Sequence, residues 1–124
     1  MALRAVAGGP IEGTVVTFKA ASGWTDPAVG DLVKHDTGGN YEVAECADSD
    51  VPVGIVRSVD PDGVKLSVEL FTSGSIARLP YSGTPALGNQ VQAASATAVK
   101  GVATGGVGTI VGVDVVSGTV DVLF

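Results

Sequence analysis

The stretch Val53-Gly54-Ile55-Val56-Arg57-Ser58-Val59-Asp60-Pro61-Asp62-Gly63-Val64-Lys65-Leu66-Ser67-Val68-Glu69-Leu70 decides the fold. Val64, Leu66, Val68 and Leu70 alternate with Lys65, Ser67 and Glu69, the period-two pattern of a strand with one buried face. In Asp60-Pro61-Asp62-Gly63, Pro sets φ for a turn and Gly accepts a positive φ. Residues 53–59 and 64–70 therefore read as a β-hairpin. A second hairpin is read near the end of the chain, where Val111–Val116 meets Ser117-Gly118 and then Thr119–Phe124.

Composition points the same way. Apolar residues make up 45% of the 124 positions, aromatics only 5%, and Gly occupies 18. Val suits pleated sheet, and Gly at this frequency suits turns rather than long helices. Shorter strands are expected at 14–19, 32–34, 41–45, 76–79 and 90–93. A turn is expected at Asp36–Asn40, and one helical turn at Asp26–Val29, with Asp26 as cap and Pro27 at the first helical position. The fold class is all-β, a small barrel with room for one core.

The chain divides into an N-terminal arm (1–22), a first half (23–71), a joining stretch (72–80) and a second half (81–124). Val29-Gly30-Asp31-Leu32-Val33 recurs as Leu87-Gly88-Asn89-Gln90-Val91, 58 positions on. Val53-Gly54-Ile55-Val56 recurs at the same offset as Val111-Gly112-Val113-Asp114. Two copies are too few for a solenoid, and two halves of one barrel or sandwich is the simpler reading. Parity aligns Leu66, Val68 and Leu70 with Val120, Val122 and Phe124, because a one-residue slip would turn the apolar face outward. On that alignment the first hairpin is four residues longer, with the extra length in its turn.

Charge and motifs exclude several functions. The net charge is −6, from 13 acids and 7 scattered bases, and ten of the acids lie between Asp26 and Glu69. A nucleic-acid partner needs a basic footprint that this chain lacks. Cys46 is the only cysteine, so no internal disulfide forms, and its acidic neighbours raise its pKa and leave it inert. His35 is the only histidine and reads as an exposed strand-end residue, so no zinc set or Ser-His-Asp triad is composed. Asp48-Ser49-Asp50 lacks the spaced ligands of a calcium loop. Gly105-Gly106-Val107-Gly108 opens no helix and carries no Lys-Ser/Thr, so it reads as a turn, not a phosphate loop. No targeting segment or apolar span long enough for a bilayer is visible, so the chain is expected to be soluble, without cofactor, metal or small-molecule substrate.

Val29–Val33, Val51–Val56 and Val68–Phe71, echoed by Leu87–Val91 and Val111–Val113, resemble the small capsid decoration (cement) proteins of tailed bacteriophages over residues 29–124. The resemblance implies a β-barrel or β-tulip domain, commonly a homotrimer, that binds the major capsid protein on the outside of an expanded virion shell. It implies stabilisation without catalysis. The alternative is a carrier or accessory domain of a cellular enzyme complex, although no lysine sits at either hairpin tip. Candidate partner-binding residues are Leu3, Val6, Ile11 and Val15 in the arm, together with Trp24. The segment 14–19 either adds a strand to a neighbour's sheet or pairs within its own barrel, and Trp24 is either an anchor or a core residue.

Overall fold

The computed structural model describes residues 10–124, which contain ten strands and no helix. They are β1 (Val15–Ala20), β2 (Leu32–His35), β3 (Glu42–Glu45), β4 (Gly54–Val59), β5 (Lys65–Leu70), β6 (Ile76–Pro80), β7 (Gln90–Ala93), β8 (Val99–Val102), β9 (Thr109–Asp114) and β10 (Thr119–Leu123). Strands β1–β5 close a barrel in the order β1-β3-β2-β4-β5. Strands β6–β10 repeat that ring order. Ladders join β6 to β10, β10 to β9 and β7 to β8, and single bridges at Tyr81–Val99 and Val91–Val107 complete the circuit. The all-β class with two related halves is therefore observed. The barrel closes within a half and is not shared between the halves.

Hydrogen bonds show the repeat residue by residue. Gly30 N donates to Val56 O and Gly88 N to Ile110 O, both at 2.9 Å. Val56 N returns to Asp31 O, and Ile110 N to Asn89 O. The parallel contact of Ala20 with Val43 recurs as Tyr81 with Val99. The opening strand is thus part of each repeat: β1 pairs along β5 as β6 pairs along β10. Segment 14–19 pairs within its own barrel, the second of its two expected destinations, and the second repeat begins with β6 rather than at residue 81.

The spacing between equivalent residues is not constant. It is 58 at Gly30 and Gly88, 56 at Val43 and Val99, and 54 through the closing hairpins. Val56 pairs with Val68 as Ile110 pairs with Val122, and a bulge leaves Arg57 and Val111 as the extra residues at matching places. The two hairpins therefore have equal length, with four residues between Asp60 and Lys65 and four between Asp114 and Thr119. This corrects the expected four-residue difference. The first repeat's extra residues lie on either side of β3, two in the β2–β3 turn and two before β4. The structural counterpart of Gly54 is Gly108, not Gly112. A Cβ on Gly54 would stand 2.7 Å from Val68 Cγ1, and one on Gly108 would stand 2.6 Å from Val122 Cγ1. Each hairpin passes its glycine beneath the same valine, and no side chain fits there. The parity alignment holds, since Leu66, Val68, Val120 and Val122 are all buried.

Two other local expectations change. Residues 26–29 form no helical turn. Asp26 sits at φ +54°, and the Asp31 carboxylate takes Ala28 N instead, at 3.0 Å. Strand β8 was not anticipated, and β9 begins at Thr109 rather than 111.

Two cores result. Phe18, Val33, Val43, Val56, Leu66 and Val68 fill the first barrel. The second core joins Leu79, Val91, Val99, Ile110, Val120 and Val122 to Leu32, Ile55 and Cys46 from the first barrel's outer wall. In strands, neighbours along the chain face opposite ways. Val33 and Val56 therefore enter the first core while Leu32 and Ile55 enter the second. Burial of one such Leu or Ile contributes about 1.5–3 kcal/mol. Phe71 and Phe124, which end the two repeats, stack at 4.4 Å with planes 4° apart.

Candidate interaction surface

The polar groups that the fold buries are mostly satisfied internally. Glu69 lies on the outer wall of β5, with its side chain only 6% exposed. Arg57 Nε donates to its Oε1 at 2.7 Å, and Gly13 N donates to Oε2 at 3.1 Å. Both oxygens thus keep a partner after desolvation. Burial, reinforced by Asp50, pushes the Cys46 thiol up to about 12, so it stays protonated and unreactive. Burial rather than the acidic neighbours is the larger cause. Exposed His35 ends β2, where the sequence put it.

Loop 46–50 joins the barrels. The hydrogen bond from Lys34 Nζ to Asp50 Oδ2, at 2.8 Å, raises the lysine pKa and lowers that of the aspartate, which also accepts from Ala47 N. Ser49 N then donates to Ala93 O, Ala93 N to Asp50 O, and Lys100 Nζ to Asp48 Oδ1. Asp48-Ser49-Asp50 is thus occupied in binding the second barrel. Among the described residues no three His, Cys, Asp or Glu side chains gather as a metal site.

Of the residues singled out from sequence, Leu3 and Val6 lie outside the described residues. Ile11 bridges to Ile76 at the edge of β6, with its side chain exposed. Val15 is exposed on β1, opposite Glu69. Trp24 is half-buried against the first core, and its indole Nε1 has no partner among the described residues. It edges an open hollow shared with Asp36 and Glu42. The structure does not gather these three into one patch.

Two other sets of exposed aliphatic side chains stand out. Val29 and Leu87 are equivalent, and both project from the turns that Gly30 and Gly88 lock to the barrel wall. Val111, Val115, Val116 and Leu123 all belong to the β9–β10 hairpin and were missed as site residues. Their signal lay in the repeat. At a spacing of 54, their counterparts are Arg57, Pro61, Asp62 and Glu69. Comparison with family models, with curated proteins and with solved structures finds no match.

Proposed function

We propose that this chain is a structural decoration protein that binds the outer surface of an expanded phage capsid and stabilises the shell by protein–protein contacts. One observation carries the reading: Val29 and Leu87 are exposed at the same place in both repeats, 64% and 68%. Each follows Pro-Ala and precedes a positive-φ glycine that is hydrogen-bonded to the barrel. Neither barrel's core uses the side chain, yet the turn that presents it occurs twice. Paired, preorganised aliphatic contacts suit attachment to a repetitive protein surface. The motif containing them also carries the resemblance to cement proteins.

The test is binding to expanded, undecorated capsids, read by co-sedimentation. Binding is expected to saturate and to fall sharply in Val29→Asp/Leu87→Asp, whose changes lie outside both cores. Absence of binding to the shell encoded beside this chain would sink the reading. A lysine adduct in the intact mass would favour a carrier domain instead.

A further inference from the structure

The first strand of each barrel has an open side, and the two barrels treat it differently. Val15 and Ile76 are counterparts, because Val15 pairs with Glu69 and Ile76 with Leu123. Leu70 N donates to Thr14 O as Phe124 N does to Ser75 O. Bonding alternates along an antiparallel ladder, so Val15, Thr17 and Ile76 all turn their N–H and C=O away from the closing hairpin. At Ile76 the segment around Ile11 takes those groups: Ile76 N donates to Ile11 O at 2.9 Å, and Ile11 N to Ile76 O at 3.0 Å. At Val15 and Thr17 no backbone group pairs on this side among the described residues. The reason lies in where β3 starts. It meets β1 only from Lys19, whose N donates to Tyr41 O at 2.7 Å.

We propose that β1 accepts an extended, basic segment of another protein as an added antiparallel strand, paired at Val15 and Thr17. The second barrel shows the form of the occupant: an antiparallel segment with an aliphatic residue in the bonded position. Each residue of the open edge offers one donor and one acceptor, and main-chain pairing of this kind gives affinity without a pocket. Edge strands are commonly guarded by proline, an inward charge or a bulge. Val15-Val16-Thr17-Phe18 has none of these, and its pairing with β5 runs without a register shift. Val15 and Thr17 are both exposed, so a strand can approach them. Charge sets the sign of the segment. Residues 10–71 hold eleven acids and four bases, a net −7. That field attracts a basic strand and repels an acidic one. Tyr41, 73% exposed where β3 closes on β1, adds an aromatic contact. This edge is separate from Val29 and Leu87, so the proposal goes beyond the shell-binding reading, and its test needs no shell.

The experiment is amide hydrogen exchange read by NMR on the full chain, alone and with the synthetic peptide Lys-Val-Lys-Val-Lys-Val-Lys. In the chain alone the amides of Val15 and Thr17 should exchange about tenfold or more faster than that of Ile76. Saturating peptide should slow both by about tenfold or more and leave Ile76 unchanged. The peptide with Glu in place of Lys should bind about tenfold or more weakly. Val15→Pro removes only the outward N–H at the first residue of β1, a place where proline is tolerated. It should weaken the basic peptide by about fivefold or more while the signals of the second barrel stay in place. If that variant does not fold, exchange in the wild type still decides. A Val15 amide as slow as that of Ile76 in the chain alone overturns the proposal, since the edge is then already filled. So does a basic peptide that leaves Val15 and Thr17 fast, an acidic peptide that protects them equally, or undiminished binding to Val15→Pro.

Discussion

On its outer wall the first barrel carries Leu32, Ile55 and Cys46, and at the equivalent places the second carries Gln90, Thr109 and Val102. The first set is buried against the second barrel. In the second set Thr109 is exposed, and Gln90 uses its Oε1 to accept from Gly106 N at 3.0 Å. One wall receives the following barrel, and at two of the three equivalent places the other carries polar side chains. The hairpin walls show the reverse: charged in the first repeat, aliphatic in the second. The two repeats share one scaffold. Their differences divide the labour between an internal joint and an outward-facing surface.

The largest expected effect breaks the joint. Leu32→Ala empties a fully buried site between the barrels and should cost about 2–5 kcal/mol in denaturant unfolding. Gln90→Ala, at the equivalent place, should cost about 1 kcal/mol, one hydrogen bond to a half-buried amide. Equal losses would mean that the two walls are energetically alike, contrary to the division drawn above.

The glycines that fix the hairpins come next. Gly54→Ala drives a methyl against Val68 and should cost about 1–3 kcal/mol. Gly108→Ala meets Val122 in the same way and must also hold φ +68°, so it should cost about 1–2 kcal/mol more. A smaller loss at Gly108 would show that the second hairpin relaxes where the first does not.

This pair also explains what the sequence could reveal. Alternation in 64–70 and 119–124 made the hairpins and their parity legible, because one face of each strand enters a core. The spacing was misjudged because Val53-Gly54 and Val111-Gly112 share letters, while the true partner, Val107-Gly108, sits in a glycine run that reads as a turn. Space beneath a valine, not letter identity, sets that equivalence. Strand β8 escaped because Lys100 and Gly101 interrupt its only apolar residues, Val99 and Val102. Arm residues Ile11 and Val15 were visible as apolar positions, but the hairpin aliphatics gain meaning only beside their charged counterparts. A half-buried Trp24 could not be told from an anchor by composition.

The ion pair sharpens the contrast at intermediate cost. Arg57→Ala leaves the Glu69 carboxylate buried with Gly13 N as its remaining partner, and should cost about 1–2 kcal/mol. Arg57→Val/Glu69→Leu copies the second repeat and should recover most of that loss, since removing both partners leaves no buried charge. If the double variant is as unstable as the single, Glu69 supports the entry to β1 through Gly13 rather than answering Arg57.

The smallest effect concerns the tips, which reach the same length by different capping. In the first, Asp62 Oδ1 accepts from Val64 N and Lys65 N; in the second, Asp114 Oδ1 accepts from Val116 N and Ser117 N. These backbone donors hold both carboxyls below the usual aspartate range, Val64 N leading for Asp62 and Ser117 N for Asp114. A carboxyl with a depressed pKa in the folded state stabilises its tip above the unfolded value, about 3.9, and loses that contribution as pH falls through the folded value. Both tips should therefore loosen together in acid while the barrels stay folded. Hydrogen exchange should quicken at the amides of Val64, Lys65, Val116 and Ser117, and Asp114→Ala should reproduce the second pair of changes at neutral pH. Loosening confined to the first tip would mean that something other than Asp114 holds Val115 and Val116 outward.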